Sequence, residues 1–411
     1  MRVHKKILLQ INSVVNYGST GRIAEKFGLT AIANGWRSYI AFGRASGESK
    51  SELLPIGNDW DIKMHGLKTR LLDLHGFGSV NATKKLLKSI SEIQPDLIIL
   101  HNIHGYYINI KLLFEYLAKS RTPVFWILHD AWAFTGHCTY FDAVGCAKWL
   151  TVCSRCPQTR EYPSSLVIDN STNNFYRKKE LFTSVNNLTL ITVSNWLRDL
   201  VKQSFFKDHN VLTIHNGVNI KIFNPLNGQG VRLRYKPGNK FTIIGVAAQW
   251  EKRKGLDDFI TLRNRLDEHY VIILVGLNKN QIKTLPVNII GIERTENIDE
   301  LAALYAASDV FLNPTYEDNF PTTNLEALAC GTPVITYNTG GSPEAVDHET
   351  GIVVEKGDID GLIRAIMEVQ SKGKSHYTAK CRERAIKHFN EDEKYMEYLR
   401  LYEEISLASK H

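Results

Sequence analysis

Short apolar runs rich in Ile, Val and Leu punctuate the chain, and segments of helical length separate them. In the first half the runs are Lys6–Ile11, Asp96–His101, Val124–His129, Leu188–Val193 and Val211–His215. In the second half they are Phe241–Ala247, Tyr270–Val275, Val287–Gly291, Val310–Asn313, Pro333–Tyr337 and Gly351–Val354. None shows the alternation of a strand with one wet face. Continuous β-branched runs belong to strands buried on both faces, which predicts parallel sheets covered by helices. Between the runs the spacing turns helical: Ile23, Phe27 and Ala31 fall at i, i+4 and i+8, and Leu301, Leu304 and Tyr305 share one face. Strand–helix alternation repeated twice predicts an α/β fold of two doubly wound, Rossmann-like domains.

Length fits this reading, since 411 residues make two domains of about 200 residues each. A seam is expected near Asn216–Gly230, where NGVNIKIFNPLNGQG gathers glycine, proline and polar residues. The expected domains are therefore 1–218 and 219–390. Beyond them, Tyr395, Tyr398, Leu399 and Tyr402 take helical spacing, so 391–411 is expected to form a helix that packs back on the first domain. Ligands of open α/β sheets sit outside the carboxyl ends of the strands, and two such domains facing each other would form a cleft.

Composition narrows the class of function. With 43% apolar and 23% charged residues the chain is a folded globular protein rather than a disordered one. A net charge of +7, without a basic tail or interleaved Arg and aromatic residues, gives no reason to expect a nucleic-acid partner. The opening MRVHKKILLQINSVV is broken by Gln10 and Asn12 and has no small-residue cleavage site, so it reads as a buried strand rather than a signal peptide. No run of eighteen apolar residues predicts a spanning helix, and a cytoplasmic protein is expected. Between Asp61 and Ser89, Lys63, Lys68, Arg70, Lys84, Lys85 and Lys88 mix with Leu67, Leu71, Leu72, Leu86 and Leu87. Peripheral contact with an anionic membrane is one reading of that segment, and a solvated helix face is the other.

The densest chemistry lies in NPTYEDNFPTTNLEALACGTPVITYNTGG, Asn313–Gly341. A strand ends, the loop Glu317, Asp318, Asn319 and Phe320 follows, and a helix is expected from about Thr323 to Cys330 before Gly331 and Pro333 stop it. N–H groups opening such a helix suit a diphosphate, and flanking carboxylates suit sugar and ribose hydroxyls. A plainer reading makes Thr323 and Glu326 a capping box. Upstream, AAQWEKRKG at Ala247–Gly255 follows a strand and precedes a helix, and it offers Arg253 and Lys254 to a developing phosphate charge, or simply a solvated basic turn. In the first half, NYGSTGR at Asn16–Arg22 follows the opening strand, and Gly18 and Gly21 would let a diphosphate or sugar approach the backbone. Its spacing is not G-x-G-x-x-G, which argues against an NAD enzyme. His129 and Asp130 end a strand at the edge where a cleft residue belongs, and His101, Asn102 and His104 end the preceding one, on the expected acceptor side.

Four of the six cysteines, Cys138, Cys146, Cys153 and Cys156, lie close together and end in C-x-x-C, with His137 as a spare ligand. A structural zinc held by the four thiolates is the sharper expectation, and a cluster of reduced buried thiols is the plainer one. Four thiolates leave no open position for catalysis.

TYEDNFPTTNLEALACGTPVI resembles the signature of the retaining family 4 glycosyltransferases, whose fold is the two-domain GT-B type. TVSNWL, HNGVNIKIFNP, RKGLDDF, LYAASDVFLNP and TGGSPEAV follow in the family's order, so the resemblance covers most of the chain. It implies a transferase that moves a sugar from a nucleotide diphosphate sugar to a glycan or lipid-linked acceptor in polysaccharide biosynthesis, with retention of configuration and no catalytic metal. It further implies that Glu326 holds the ribose hydroxyls, that Lys254 neutralises the diphosphate, and that His129 contacts the donor sugar. Asp318 stands where the family usually has glutamate, with Glu317 beside it. The usual arginine position, near Gln249, is not basic, so Arg253 is expected to substitute. The alternatives are another GT-B enzyme, such as a sugar-nucleotide epimerase or a phosphorylase, and a non-catalytic partner in polysaccharide assembly.

Overall fold

The computed structural model of the protein describes residues 5–228 and 239–408. The chain forms two compact units, one of residues up to Ile214 together with those from Tyr395 onward, the other His215–Lys394. Positions 229 and 230 of the expected seam, and 409–411 of the expected tail helix, lie outside the described residues.

The first unit holds β1 (Ile7–Asn12), β2 (Arg37–Phe42), β3 (Glu52–Pro55), β4 (Leu97–Leu100), β5 (Val124–Leu128), β6 (Leu188–Thr192) and β7 (Val211–Thr213). All seven pair in parallel, in the order β3-β2-β1-β4-β5-β6-β7. The second unit holds β8 (Phe241–Val246), β9 (Tyr270–Val275), β10 (Ile289–Ile292), β11 (Val310–Asn313), β12 (Val334–Tyr337) and β13 (Gly351–Val354). These are parallel too, in the order β10-β9-β8-β11-β12-β13. Every apolar run read from the sequence forms one of these strands. Two further strands, β2 and β3, escape that reading. RSYIAF opens on Arg37 and Ser38 before a short apolar run, and the edge strand ELLP is short and only half covered.

Burial explains the pattern. β4, β5, β6, β9, β11 and β12 are buried along their whole length, as strands covered on both faces must be. Phe27 and Ala31 of the helix Gly18–Ala33 are buried as their spacing required, and Leu304 and Tyr305 of the helix Ile298–Ala307 are fully covered. From Tyr395 onward the terminal helix Glu391–Ala408 belongs to the first unit and packs within it through aromatic rings: Tyr395 and Tyr398 lie 6.0 and 5.4 Å from Phe27, and Tyr402 lies 4.9 Å from Trp36. The basic segment after Asp61 is two helices, Asp59–Leu72 and Val80–Ile93, rather than one amphipathic stretch. Leu86 and Ile90 of the second are buried, whereas Trp60, Met64, Leu67 and Leu71 of the first form an exposed stripe.

Candidate functional site

In the second unit the chain leaves β8 toward β9 and β10 on one side, and β11 to β13 fill the other. Loops leaving β8 and β11 diverge at such a switch point and open a crevice at the carboxyl edge. The loop after β8 brings Lys254 and the loop after β11 brings Asp318, and Lys254 Nζ lies 2.5 Å from Asp318 Oδ2 with both side chains about four-fifths buried. Two glycines permit this approach. Gly255 has φ 75°, and a Cβ there would stand 2.2 Å from the Pro314 carbonyl oxygen. At Gly340, with φ 56°, a Cβ would stand 1.8 Å from the Asp318 carbonyl oxygen. A side chain at either position would push the acidic loop away.

Glu317, Asn319 and Phe320 are buried beside Asp318. Phe320 packs on the rings of His215 and Phe389, with centroids 4.8 and 5.8 Å away. The following helix runs Thr322–Ala329 with Pro321 at its N-cap and no side-chain cap. It therefore starts earlier than expected, because Pro321, at φ −68°, already sets the entry angle. The Thr323–Glu326 capping box does not form. Glu326 sits in the second turn, where Oε2 accepts the Tyr305 hydroxyl at 3.0 Å. Arg253 differs from its neighbour Lys254: its Nε donates to Glu251 at 2.9 Å.

A buried amide locks this edge. Asn324 Oδ1 accepts from Asn313 Nδ2 at 2.8 Å, and its Nδ2 donates to Ser342 Oγ at 3.0 Å. Ser342 Oγ in turn lies 2.6 Å from Thr336 Oγ1. One side chain thus ties β11, β12, the helix and the Gly340 loop together. His215 Nε2 and Glu344 Oε2 pair at 2.9 Å in the same unit.

The first unit repeats the arrangement with other chemistry. Its switch point lies between β1 and β4. The helix after β1 begins at Gly18 and so takes in Gly21 and Arg22, which the sequence had left in the loop before it. Gly18 is exposed with φ 63°. After β4 and β5 stand the histidines. Gln10 gives Nε2–H to the Ala24 carbonyl, so its Oε1 accepts from His101 Nε2–H at 3.0 Å. His101 Nδ1 is then an acceptor, and His129 Nε2 donates to it at 3.3 Å. Burial pushes His129 down to about 4 and His101 well below the ordinary imidazole value, so both are neutral at pH 7. His104 bridges Asp130, 2.8 Å from Nε2, and the Tyr162 hydroxyl, 3.2 Å from Nδ1. Burial raises the Asp130 carboxyl, but the charge and hydrogen bond of His104 outweigh it and leave the group lowered.

All four clustered cysteines are free thiols lining one small cavity with His137. Cys138 and Cys153 are buried and the other two half-buried. As the side chains stand, no group of three or more His, Cys, Asp or Glu among the described residues is arranged to hold a metal ion.

The fold therefore brings Lys254, Glu317, Asp318, Asn319, Phe320 and Glu326 to one edge of the second sheet, whereas Gly18, Gly21 and His129 belong to the first unit. Sequence reading missed Gln10, Tyr162, Asn324, and the His215–Glu344 pair. Asn324 and Glu344 stand inside the two motif strings, which was the available signal.

Residues 240–372 match the Glycosyl transferases group 1 family. The chain is 21% identical over 375 residues to the putative colanic acid biosynthesis glycosyl transferase WcaC of Escherichia coli, covering 87% of this chain and 89% of that one. Among solved structures it resembles sucrose-phosphate synthase from Thermosynechococcus elongatus, with TM-score 0.71, 16% identity, and coverage of 98% of this chain and 100% of the other. It also resembles HepE of Anabaena in complex with UDP, with TM-score 0.67, 16% identity, and coverage of 97% and 100%. The GT-B fold is shared along nearly the whole length, and the match to the Glycosyl transferases group 1 family falls on the unit that carries Lys254, Asp318 and Glu326.

Proposed function

We propose that the protein is a retaining glycosyltransferase that takes a sugar from a nucleotide diphosphate donor and adds it to a glycan or lipid-linked acceptor in polysaccharide biosynthesis. The observation that carries this reading is the Lys254–Asp318 pair at the switch point of the second sheet, beside Glu326 and the opening of the helix Thr322–Ala329. A diphosphate arriving there competes with Asp318 for the Lys254 ammonium and frees the carboxylate for a sugar hydroxyl. Glu326 accepts from the ribose hydroxyls. The bond from the sugar's anomeric carbon to the diphosphate oxygen breaks, a bond to the acceptor oxygen forms on the same face, and the acceptor proton passes to the departing phosphate. Lys254 and the helix N–H groups stabilise the charge that develops on the leaving group. Residues 1–218 are the acceptor-side domain in this reading, with Gly18, Gly21 and His129 as its proposed sugar-binding residues, and 219–390 hold the nucleotide. UDP in the related HepE structure supports a nucleotide donor.

No described helix is long and apolar enough to cross a membrane. The exposed stripe of Trp60, Met64, Leu67 and Leu71 beside Lys63 and Lys68 supports peripheral contact with an anionic membrane on its cytoplasmic face. Calorimetric titration with UDP, GDP, ADP and dTDP, with and without EDTA, tests the donor site. One nucleotide binding in both conditions, and weakly to Glu326→Ala, is the expected result. Absence of binding by all four would overturn the reading in favour of a non-catalytic assembly partner.

A further inference from the structure

The chain from 129 to 170 connects β5 to the helix Ser171–Thr183 with only two single 3₁₀ turns, Trp132–Phe134 and Lys148–Leu150. Loops this long without regular structure are uncommon in compact domains and need something to hold them. Much of this one is buried, including Trp132, Phe134, Phe141 and Trp149. It also delivers Tyr162 to His104, so its shape decides the histidine edge of the first unit.

We propose that Cys138, Cys146, Cys153 and Cys156 bind a structural zinc ion that staples this loop. Three observations converge on it. First, all four cysteines line one cavity, Cys138 and Cys153 buried and Cys146 and Cys156 half-buried. Arg155, in the left-handed region at φ 44°, folds the C-x-x-C pair back on itself, and the Cys156 amide is held by Asp169 at 2.6 Å.

Second, His137 lines the same cavity. Its Nδ1 is fixed by Asp73 Oδ1 at 2.6 Å, both side chains are fully buried, and its Nε2 has no hydrogen-bond partner among the described residues. A buried imidazole nitrogen left unpaired costs stability unless something fills its place. A carboxylate behind a histidine is a common support at zinc centres. Here it fixes the ring in the cavity that the four thiols line.

Third, Lys178 is buried with its ammonium on the Trp132 and Thr135 carbonyls, 2.8 and 3.1 Å away, and over the Trp132 ring, with no carboxylate partner among the described residues. A zinc with four thiolates carries a net negative charge and compensates this cation. Binding requires the thiol side chains to rotate inward from the arrangement described above and releases their protons.

Elemental analysis of full-length protein purified without chelator is the test, with about one zinc per chain expected. Cys146→Ser and Cys156→Ser should each lose most of it, while Cys330→Ser, in the second unit, keeps it. Stripping the metal should lower the melting temperature by about 5 °C or more. Where the serine variants fail to accumulate, cobalt loading of the unaltered chain gives the same answer through sulfur-to-cobalt charge-transfer absorption. Zinc below roughly one ion in five chains, with no cobalt band, overturns the proposal. So does a Cys138–Cys156 disulfide in freshly prepared protein, or iron in place of zinc.

Discussion

Each of the two sheets ends in a switch-point crevice, between β1 and β4 in the first unit and between β8 and β11 in the second, yet the two edges carry opposite chemistry. The second is ionic, with Lys254 on Asp318 and with Glu317 and Glu326 close by. The first is lined by imidazoles that burial keeps neutral, His101 and His129, each given its tautomer by a chain of hydrogen bonds that begins at Gln10. One topology thus offers a lysine–carboxylate cradle in one copy and, apart from the Asp130 carboxylate held by His104, a set of neutral imidazole donors and acceptors in the other. Anions are bound by the first kind of edge, and hydroxyl-rich groups are oriented by the second. The fold supplies the place, and the loop residues supply the chemistry.

The contrast breaks most sharply at Glu326. Glu326→Ala should lower the transfer rate by roughly 10²-fold or more if the carboxylate serves the transition state. Near-normal turnover would reduce Glu326 to a partner of Tyr305 and remove the ionic edge from the chemistry.

Lys254→Ala should weaken nucleotide diphosphate binding by about tenfold, roughly 1.4 kcal/mol, while the nucleoside alone is unaffected. Equal loss for both ligands would mean that the substitution had merely disturbed the loop.

pH separates the two edges a third way. Burial holds His65 and His129 at about 4, and His75 and His101 well below the ordinary imidazole value, all in the first unit. Between pH 6.5 and 4 the unfolded chain binds protons at these positions that the folded chain refuses. Stability is therefore complete above 6.5 and falls as the pH drops through that window. His65 shows why: its Nε2 accepts the Gly76 and Gly78 amides at 3.2 and 3.1 Å, and a proton there would break both bonds. His137, raised on balance because the bond and charge of Asp73 outweigh burial, runs the other way and offsets part of this. In the second unit, burial raises Asp347, but Thr350 and Arg384 outweigh it, so its window lies lower. Melting of the full chain should drop by several degrees from pH 7 to 4.5, and an unchanged or rising midpoint would contradict the assignment of neutral histidines.

Smallest is the surface effect. Trp60→Ser with Leu67→Ser should reduce binding to anionic vesicles several-fold at low salt and leave nucleotide binding intact. Unaltered vesicle binding would remove the membrane from the proposal.

Much of this was legible in order and kind. The apolar runs announced eleven strands because strands covered on both faces are mostly apolar, and the two strands that stayed hidden, β2 and β3, begin with Arg37 and Glu52. Motif strings marked the loops after β8 and β11. Less legible was the start of the helix at Thr322, because a Thr–Glu spacing fits a capping box equally well and only the N-cap position of Pro321, with no side-chain cap bond, decides against it. Asn324 stood inside a motif string, but its locking role could not be read, since its partners Asn313 and Ser342 lie 11 and 18 residues away in the chain.

By itself the sequence determined eleven of the thirteen strands, that both sheets are parallel, and which residue types arrive at their carboxyl ends, because those follow from local periodicity and chain order. Only the tertiary structure decided that Lys254 rather than Arg253 meets Asp318, that Gln10 sets the tautomers of His101 and His129, and that His137 is backed by Asp73. Partners such as these are separated by many residues in the chain, and the choice among them is made by packing distance and burial, which no local pattern encodes.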